Sequence, residues 1–378
     1  MRILMFSNPM LGHFLPMLPL ARALRAQGHV VAVAAAAPLA GPVESEGFDL
    51  IPMGPTKEVM AAEAIRRTGG EGPGSVTFVG EFFAGARLDL TADEALAGTR
   101  AWEPDVIVSE HCDYVGQFVA AALALPSAVM AIDPALEPDA LNALATTAHS
   151  RYLERGIEGP AHAPSGRWLL DLCPPSLRRG GELPGLELWA LRPEPHQAPE
   201  GTPRAQRAEL TGRPRVLVSF STAKSEPERL GSVLRSLSTL DVDLVATTTG
   251  DASVDGLGLD PDRVELISFL PAAELLDGVS VVVHHGGSGN TFGAAARGIP
   301  AVVTPDIPGQ QRQARRLEAA GAGLALPIGE AAPEAVTAAV GLVLSDPDYA
   351  LGARRLREEI AAMPSASEVA EHLVASVG

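Results

Sequence analysis

The strongest chemical signal lies in one run, Val279-Ser280-Val281-Val282-Val283-His284-His285-Gly286-Gly287-Ser288-Gly289-Asn290-Thr291. A short β-branched stretch, two imidazoles and three glycines among hydroxyl and amide side chains predict a parallel strand feeding a helix through a tight loop. Ser288, Asn290 and Thr291 suit the start of that helix, and Gly298 suits its stop. Glycine lets backbone approach a ligand closely, and first-turn N–H groups with the helix dipole favour negative charge. The run therefore predicts an anion site, for phosphate; a plain tight turn is the competing use of its glycines. No Lys follows the glycines and the spacing is not the dinucleotide fingerprint, so both common phosphate loops are excluded.

The second candidate is His13, where the loop after a predicted first strand, Arg2 to Phe6, meets a helix. Imidazole titrates near neutrality and can take a proton from an attacking hydroxyl. A capping or solvated histidine is the plainer use of the same residue.

The elements that would position these residues follow from hydrophobic spacing. Phe14, Met17, Leu18, Ala21 and Leu24 share one helical face, Gly28 closes the helix, and His29 to Ala34 starts the next strand. This βαβ unit opens a parallel sheet. Leu50-Ile51, Asp105 to Ser109 and Ser127 to Ile132 continue it, with a helix from Tyr114 to Leu125 ended by Pro126. The Gly-rich Thr68 to Ser75 predicts a mobile surface loop, and Phe78, Phe82 and Phe83 follow it as helix core or as an aromatic pocket wall. From Asp133 to Leu186 only Trp168 to Pro175 reads as a strand-like patch. Five prolines between Arg192 and Pro214 predict a linker.

After it, Arg215 to Ser221 echoes Arg2 to Ser7, and strands follow at Leu244 to Thr247, Val264 to Ile267, Val279 to Val283 and Ala301 to Thr304. A last pair of helices, Tyr349 to Met363 and Ser367 to Val377, breaks near Pro364. The expected class is α/β, with two Rossmann-like doubly wound sheets facing across a cleft and ligands at the carboxyl ends of the strands. The expected domains are 1–200, 201–360 and a terminal helix in 361–378.

A length of 378 residues with 46% apolar composition is enough for two cores. A net charge of −17 argues against a nucleic acid partner, so any phosphate must be held locally. Cys112 and Cys173 supply neither a disulfide framework nor a Cys-rich metal site. No apolar run is long enough for a membrane span, and Ser7-Asn8 and Gly12-His13 interrupt the core a signal peptide needs. The expectation is a cytoplasmic protein, monomer or homodimer.

The run His284 to Thr291, then Gly298-Ile299-Pro300, Pro305, Gln310, Ala314-Arg315-Arg316 and Gly321-Ala322-Gly323, resembles the nucleotide-sugar signature of the inverting family 1 glycosyltransferases. The nearest look-alikes are bacterial enzymes that attach deoxysugars to antibiotics. The resemblance implies the GT-B fold, a nucleotide-sugar donor, dTDP-linked, and a hydrophobic acceptor such as an aromatic polyketide or macrolide. It assigns the acceptor base to His13. It puts Glu110 where relatives carry an Asp that supports the base, with Asp113 in reserve. It assigns the diphosphate to His285 and to Gly287, Ser288, Gly289, Asn290 and Thr291, with hydroxyls of Ser221 and Thr222 adding donors. Phe269-Leu270 falls where relatives bind the nucleobase.

Relatives that use hydroxyl-rich sugars write Asp-Gln where this chain has Gly309-Gln310, with Asp306 three residues earlier. A buried carboxylate without a hydroxyl partner is unfavourable, so its loss implies a deoxy sugar. No carboxylate cluster accompanies the phosphate loop, so neither a metal nor another cofactor is expected. Two competing readings share the fold: a sugar-nucleotide epimerase or hydrolase, which needs no acceptor, and a non-catalytic helper, against which His13 argues.

Overall fold

The computed structural model describes residues 1–133, 138–158, 164–178, 186–199, 201–202, 211–220, 227–248, 255–268 and 270–378. The chain divides into two units, Met1–Cys173 with Arg178–Arg192 and Met363–Gly378, and Pro174–Leu177 with Pro193–Ala362. Each is built on one parallel sheet.

In the first unit the strands are β1 (Arg2–Phe6), β2 (Val30–Ala35), β3 (Asp49–Pro52), β4 (Val106–Glu110), β5 (Ser127–Ala131), β6 (Trp168–Asp171) and β7 (Glu187–Ala190). Their order is β3-β2-β1-β4-β5-β6-β7. The order reverses between β1 and β4, which pair in parallel from Ile3↔Val106 to Phe6↔Ser109. That reversal is the switch point at which such sheets hold ligands. Helices cover both faces, so Leu4, Phe6 and Ile107 are fully buried with Val115, Phe118 and Tyr152. The terminal helix Ala366–Val377, opened by a Ser365–Glu368 capping box, packs on Leu18–Ala26.

The second unit repeats the plan with β8 (Arg215–Ser219), β9 (Asp243–Thr247), β10 (Val264–Ile267), β11 (Val279–His284), β12 (Ala301–Val303) and β13 (Gly323–Ala325). Their order is β10-β9-β8-β11-β12-β13, with the reversal between β8 and β11. Val216, Val218, Val281, Val283 and Val302 form its core with Leu234, Leu237 and Val340.

Three elements depart from the sequence expectation. The stretch without a clear pattern contains the 17-residue helix Pro138–Glu154. Two edge strands, β7 and β13, carry no apolar run long enough to mark them. The helix after β11 begins at Ser288 and is closed by Gly298, as expected, and its cap is Gly287, which has no side chain.

Candidate active site

In the first unit a candidate site grows from the ends of β1 and β4. Parallel pairing brings the loop after Phe6 next to Glu110, the last residue of β4. His13 Nδ1 lies 2.9 Å from Glu110 Oε1, which also accepts a hydrogen bond from Asn8 Nδ2. Glu110 Oε2 accepts the backbone N–H of Cys112 at 2.8 Å. Burial alone would raise the Glu110 pKa, but the charge and hydrogen bond of His13 outweigh it and hold the value at about 2. Burial likewise pushes His13 down, yet the Glu110 charge and hydrogen bond, backed by Asp133 and Asp113, keep it above the usual imidazole value of 6.5. With Nδ1–H donated to the carboxylate, neutral His13 has its lone pair on Nε2, the arrangement of a base.

Asp113 lies outside this pair. It caps the helix Tyr114–Leu123 by accepting the Gly116 N–H at 2.8 Å, and its other oxygen meets Arg87 at 3.1 Å, both side chains fully buried. The reserve role is therefore not one its contacts provide; they are those of a cap and an ion pair.

The phenylalanines divide. Phe78 and Phe82 are buried and stacked on each other, whereas half-buried Phe83 turns its ring to within 5.7 Å of the His13 ring. Phe82 and Phe83 sit in a π-helical turn, Glu81–Ala86, a wide turn often found at functional sites. Arg67 bonds Asp89 at 2.6 Å and Glu81 at 3.3 Å, tying that turn to the helix Lys57–Arg67.

In the second unit a separate candidate site grows from the end of β11. Gly286 has φ of 92°, open to glycine at little cost, and its N–H donates to His284 Nδ1 at 3.0 Å, fixing the turn. Burial and the neighbouring His285 push buried His284 down to about 3, so it stays a neutral acceptor. The Thr291 N–H makes the first helical bond, to Gly287 C=O at 3.0 Å. The N–H groups of Ser288, Gly289 and Asn290 precede it and have no helical partner. With no side chain in the cap, the first turn is open to an anion.

Not every side chain of the run faces that opening. The Thr291 hydroxyl donates back to Gly287 C=O at 3.0 Å, and Asn290 Nδ2 is turned to the Ser219 carbonyl and hydroxyl at 3.3 Å. Ser288 Oγ accepts from Gln313 at 3.3 Å. Burial lowers the His285 pKa and Arg229 adds to that, against Asp306 and the Ser219 backbone. Burial therefore favours the uncharged form of His285. Asp306 pairs with Arg229 at 2.9 Å, and its N–H donates to Gln310 Oε1 at 2.9 Å. Leu270 is half-buried after β10, while Ser221, Thr222 and Phe269 lie outside the described residues.

Sequence reasoning missed Asn8, His111, Arg87 and Arg229. Asn8 was in view only as a polar interruption, and its contact with Glu110 spans 102 residues of chain. Among the described residues, Glu110, His111 and Cys112 can bring three ligand atoms within 4.8 Å. Their donors are already engaged: Glu110 by His13, Asn8 and Cys112 N–H, and His111 Nδ1 by the Ile132 N–H at 3.4 Å. Burial and the nearby carboxylates push the Cys112 thiol up, away from the thiolate a metal would need.

One parallel-sheet unit thus presents an open helix start and the other a carboxylate-held imidazole. Residues 231–376 match the family described as the erythromycin biosynthesis protein CIII-like C-terminal domain. The L-demethylnoviosyl transferase of Streptomyces niveus is 31% identical over 383 residues, covering 99% of this chain and 98% of that protein. The 3-alpha-mycarosylerythronolide B desosaminyl transferase of Saccharopolyspora erythraea is 27% identical, over 98% of this chain and 96% of its own length. Among solved structures, Streptomyces sp. SF2575 glycosyltransferase SsfS6 in complex with thymidine diphosphate superposes with a TM-score of 0.81 at 27% identity, over 99% of each chain. Spinosyn rhamnosyltransferase SpnG complexed with spinosyn aglycone gives 0.82 at 27% identity, over 99% of this chain and 100% of that one. The chain belongs to the family 1 glycosyltransferases, in the branch of the bacterial antibiotic deoxysugar transferases.

Proposed function

We propose that this glycosyltransferase moves a deoxy sugar from a thymidine diphosphate donor to a hydroxyl of a hydrophobic natural-product acceptor, with inversion at the anomeric carbon. His13 Nε2 takes the hydroxyl proton while the oxygen attacks the anomeric carbon. The bond from that carbon to the diphosphate oxygen breaks, and its electron pair leaves on the diphosphate. The N–H groups of Ser288, Gly289 and Asn290 meet the charge as it grows, fixed dipoles that need no reorganisation. Glu110 holds His13 in the tautomer that leaves Nε2 unprotonated and stabilises the imidazolium that forms. The observation that carries the reading is this pairing of a buried carboxylate with a histidine at a sheet switch point.

The diphosphate and deoxy sugar draw support from relatives named as desosaminyl and demethylnoviosyl transferases and from neighbours solved with thymidine diphosphate. The acceptor class draws it from the neighbour solved with spinosyn aglycone. No described helix is long and apolar enough to cross a membrane. We place the enzyme in the cytoplasm, as a monomer or homodimer, where a nucleotide-sugar donor is at hand. The resident groups of the mechanism are side chains and backbone, with no metal or further cofactor in any step.

The test is transfer from TDP- and UDP-sugars to a panel of polyketide and macrolide aglycones, read by mass. A glycoside product that disappears in His13→Ala is expected. Free sugar or an epimerised nucleotide sugar formed without acceptor would instead establish the hydrolase or epimerase reading.

A further inference from the structure

Buried polar atoms without partners are rare enough that each asks for an explanation. His111, next to Glu110 at the end of β4, holds one. Its side chain is 8% exposed. Its Nδ1 accepts the Ile132 N–H at 3.4 Å and stands 3.7 Å from Glu110 Oε2. In a neutral imidazole the accepting nitrogen carries no proton, so the proton is on Nε2. That Nε2–H is buried and has no hydrogen-bond partner among the described residues. The nearby carboxylate of Asp171 does not meet it, being occupied by the Cys173 N–H and by Arg178, each at 2.8 Å.

His111 and His13 share the carboxylate of Glu110. The two imidazoles take opposite oxygens of one carboxylate, His13 Nδ1 beside Oε1 and His111 Nδ1 beside Oε2. Each therefore turns its Nε2 away from Glu110. One of these nitrogens has a lone pair for a hydroxyl proton; the other has a proton for an oxygen. Glu110 is ionised, and Asp133, just past β5, couples to both rings, so an anionic group would be repelled here and a neutral oxygen favoured.

We propose that His111 is an acceptor-binding residue whose Nε2–H holds a neutral carbonyl or hydroxyl oxygen of the same molecule that presents its reacting hydroxyl to His13. The proposal rests on the reading above that the first unit takes the acceptor, and it names the acceptor as a hydroxy ketone, hydroxyquinone or similarly oxygenated ring system.

The experiment measures equilibrium binding of 2-hydroxyanthraquinone and of 2-hydroxyanthracene, which lacks the carbonyls, to the full-length enzyme by fluorescence quenching. Wild type, His111→Phe and His111→Gln are compared, with a circular-dichroism melt as the check that each is folded and thymidine diphosphate affinity measured alongside. One neutral hydrogen bond predicts about a five- to tenfold loss for the quinone in His111→Phe, with the anthracene changed less than about twofold. His111→Gln, whose amide can donate from the same position, should recover part of the loss. Equal weakening of both probes, no change in either, or no binding of either to the wild type would overturn the proposal. Failure of the wild type to bind thymidine diphosphate would instead sink the wider reading. Should His111→Phe not fold, an unchanged quinone-to-anthracene ratio between wild type and His111→Ala counts against the proposal equally.

Discussion

His13 Nδ1 and Glu110 Oε1 lie 2.9 Å apart across 97 residues of chain. The contact exists because β1 and β4 are neighbours at the point where the sheet order reverses. It joins a half-buried base to a fully buried acid, and the acid is itself held by Asn8 and by the Cys112 N–H.

The pH dependence of turnover follows from that contact. The base must be neutral, and Glu110 keeps the His13 pKa above 6.5. The acid limb of kcat/KM should therefore lie above that value in wild type. Glu110→Gln removes the largest of the charges that raise His13 and leaves burial opposed only by Asp133 and Asp113, so the limb should move to lower pH as the rate falls. His13→Ala should cost about 10²–10⁴ in kcat. A limb that stays in place in Glu110→Gln would show that another group sets it.

Stability responds to pH through the same pair, with opposite signs. Glu110 has a folded value of about 2 against an ordinary 4.5, so its contribution is complete above 4.5 and is lost as pH falls through about 2. His13 is raised, so its contribution is complete below 6.5 and fades as pH rises through its higher folded value. Both are present between pH 4.5 and 6.5. Urea titration of Glu110→Gln should show a loss on the order of 3 kcal/mol at pH 5–6, and clearly less at pH 9. An equal loss at both pH values would mean that the charge of His13 is not involved.

Asp113 behaves as a structural residue in its contacts, and this separates it from Glu110 by experiment. Asn at 113 can still cap its helix but leaves the buried Arg87 cation without its carboxylate. Asp113→Asn should cost roughly 3–5 kcal/mol of folding stability. At a temperature where the variant is folded, the acid limb should stay within a few tenths of a pH unit of wild type, as roughly expected for a carboxylate that does not touch the base. A limb displaced as far as in Glu110→Gln would assign Asp113 to the base.

How far the site was legible depended on whether its cause was local. The strand–loop–helix at Val279 to Arg297 announces itself through β-branched residues, glycines and Gly298, and the structure has β11 and its helix there. The helix start at Ser288 was legible, but not that Asn290 and Thr291 spend their polar groups on Ser219 and Gly287. His13 and Glu110 could each be named, but their contact depends on strand order, which no local pattern encodes. Asn8 and His111 are invisible for the same reason: their partners, Glu110 and the Ile132 N–H, are supplied by neighbouring strands. The half-exposed β7 and the three-residue β13 lack the apolar runs that betrayed the central strands.

Sugar preference should follow position 309. A Cβ there would meet only Arg312, at 3.7 Å, so an Asp side chain has room. The nearby Asp306 is engaged by Arg229 and is poorly placed to replace it. Wild type should turn over a TDP-2,6-dideoxy sugar faster than TDP-glucose, judged by kcat/KM. Gly309→Asp should shift the ratio toward glucose by about tenfold or more, because the added carboxylate can accept from a sugar hydroxyl that the dideoxy donor lacks. Equal turnover of both donors by wild type would remove the inference.

The phosphate loop offers the sharpest contrast, between two glycines three residues apart. At Gly286 a Cβ would come within 3.0 Å of Gln310 Cβ and 3.1 Å of its carbonyl oxygen, on backbone with φ of 92°. Gly286→Ala should therefore destabilise the second unit by about 1–3 kcal/mol. Gly289 is helical and a Cβ there meets nothing within 4 Å, so Gly289→Ala should stabilise the fold by about 0.5–1 kcal/mol. If an anion lies on the first turn, that same methyl occupies its space, and thymidine diphosphate affinity should fall even as the melting temperature rises. Calorimetry of the two variants with and without thymidine diphosphate checks this. A Gly289→Ala protein that binds the nucleotide as tightly as wild type would mean that the helix start is open but is not where the diphosphate goes.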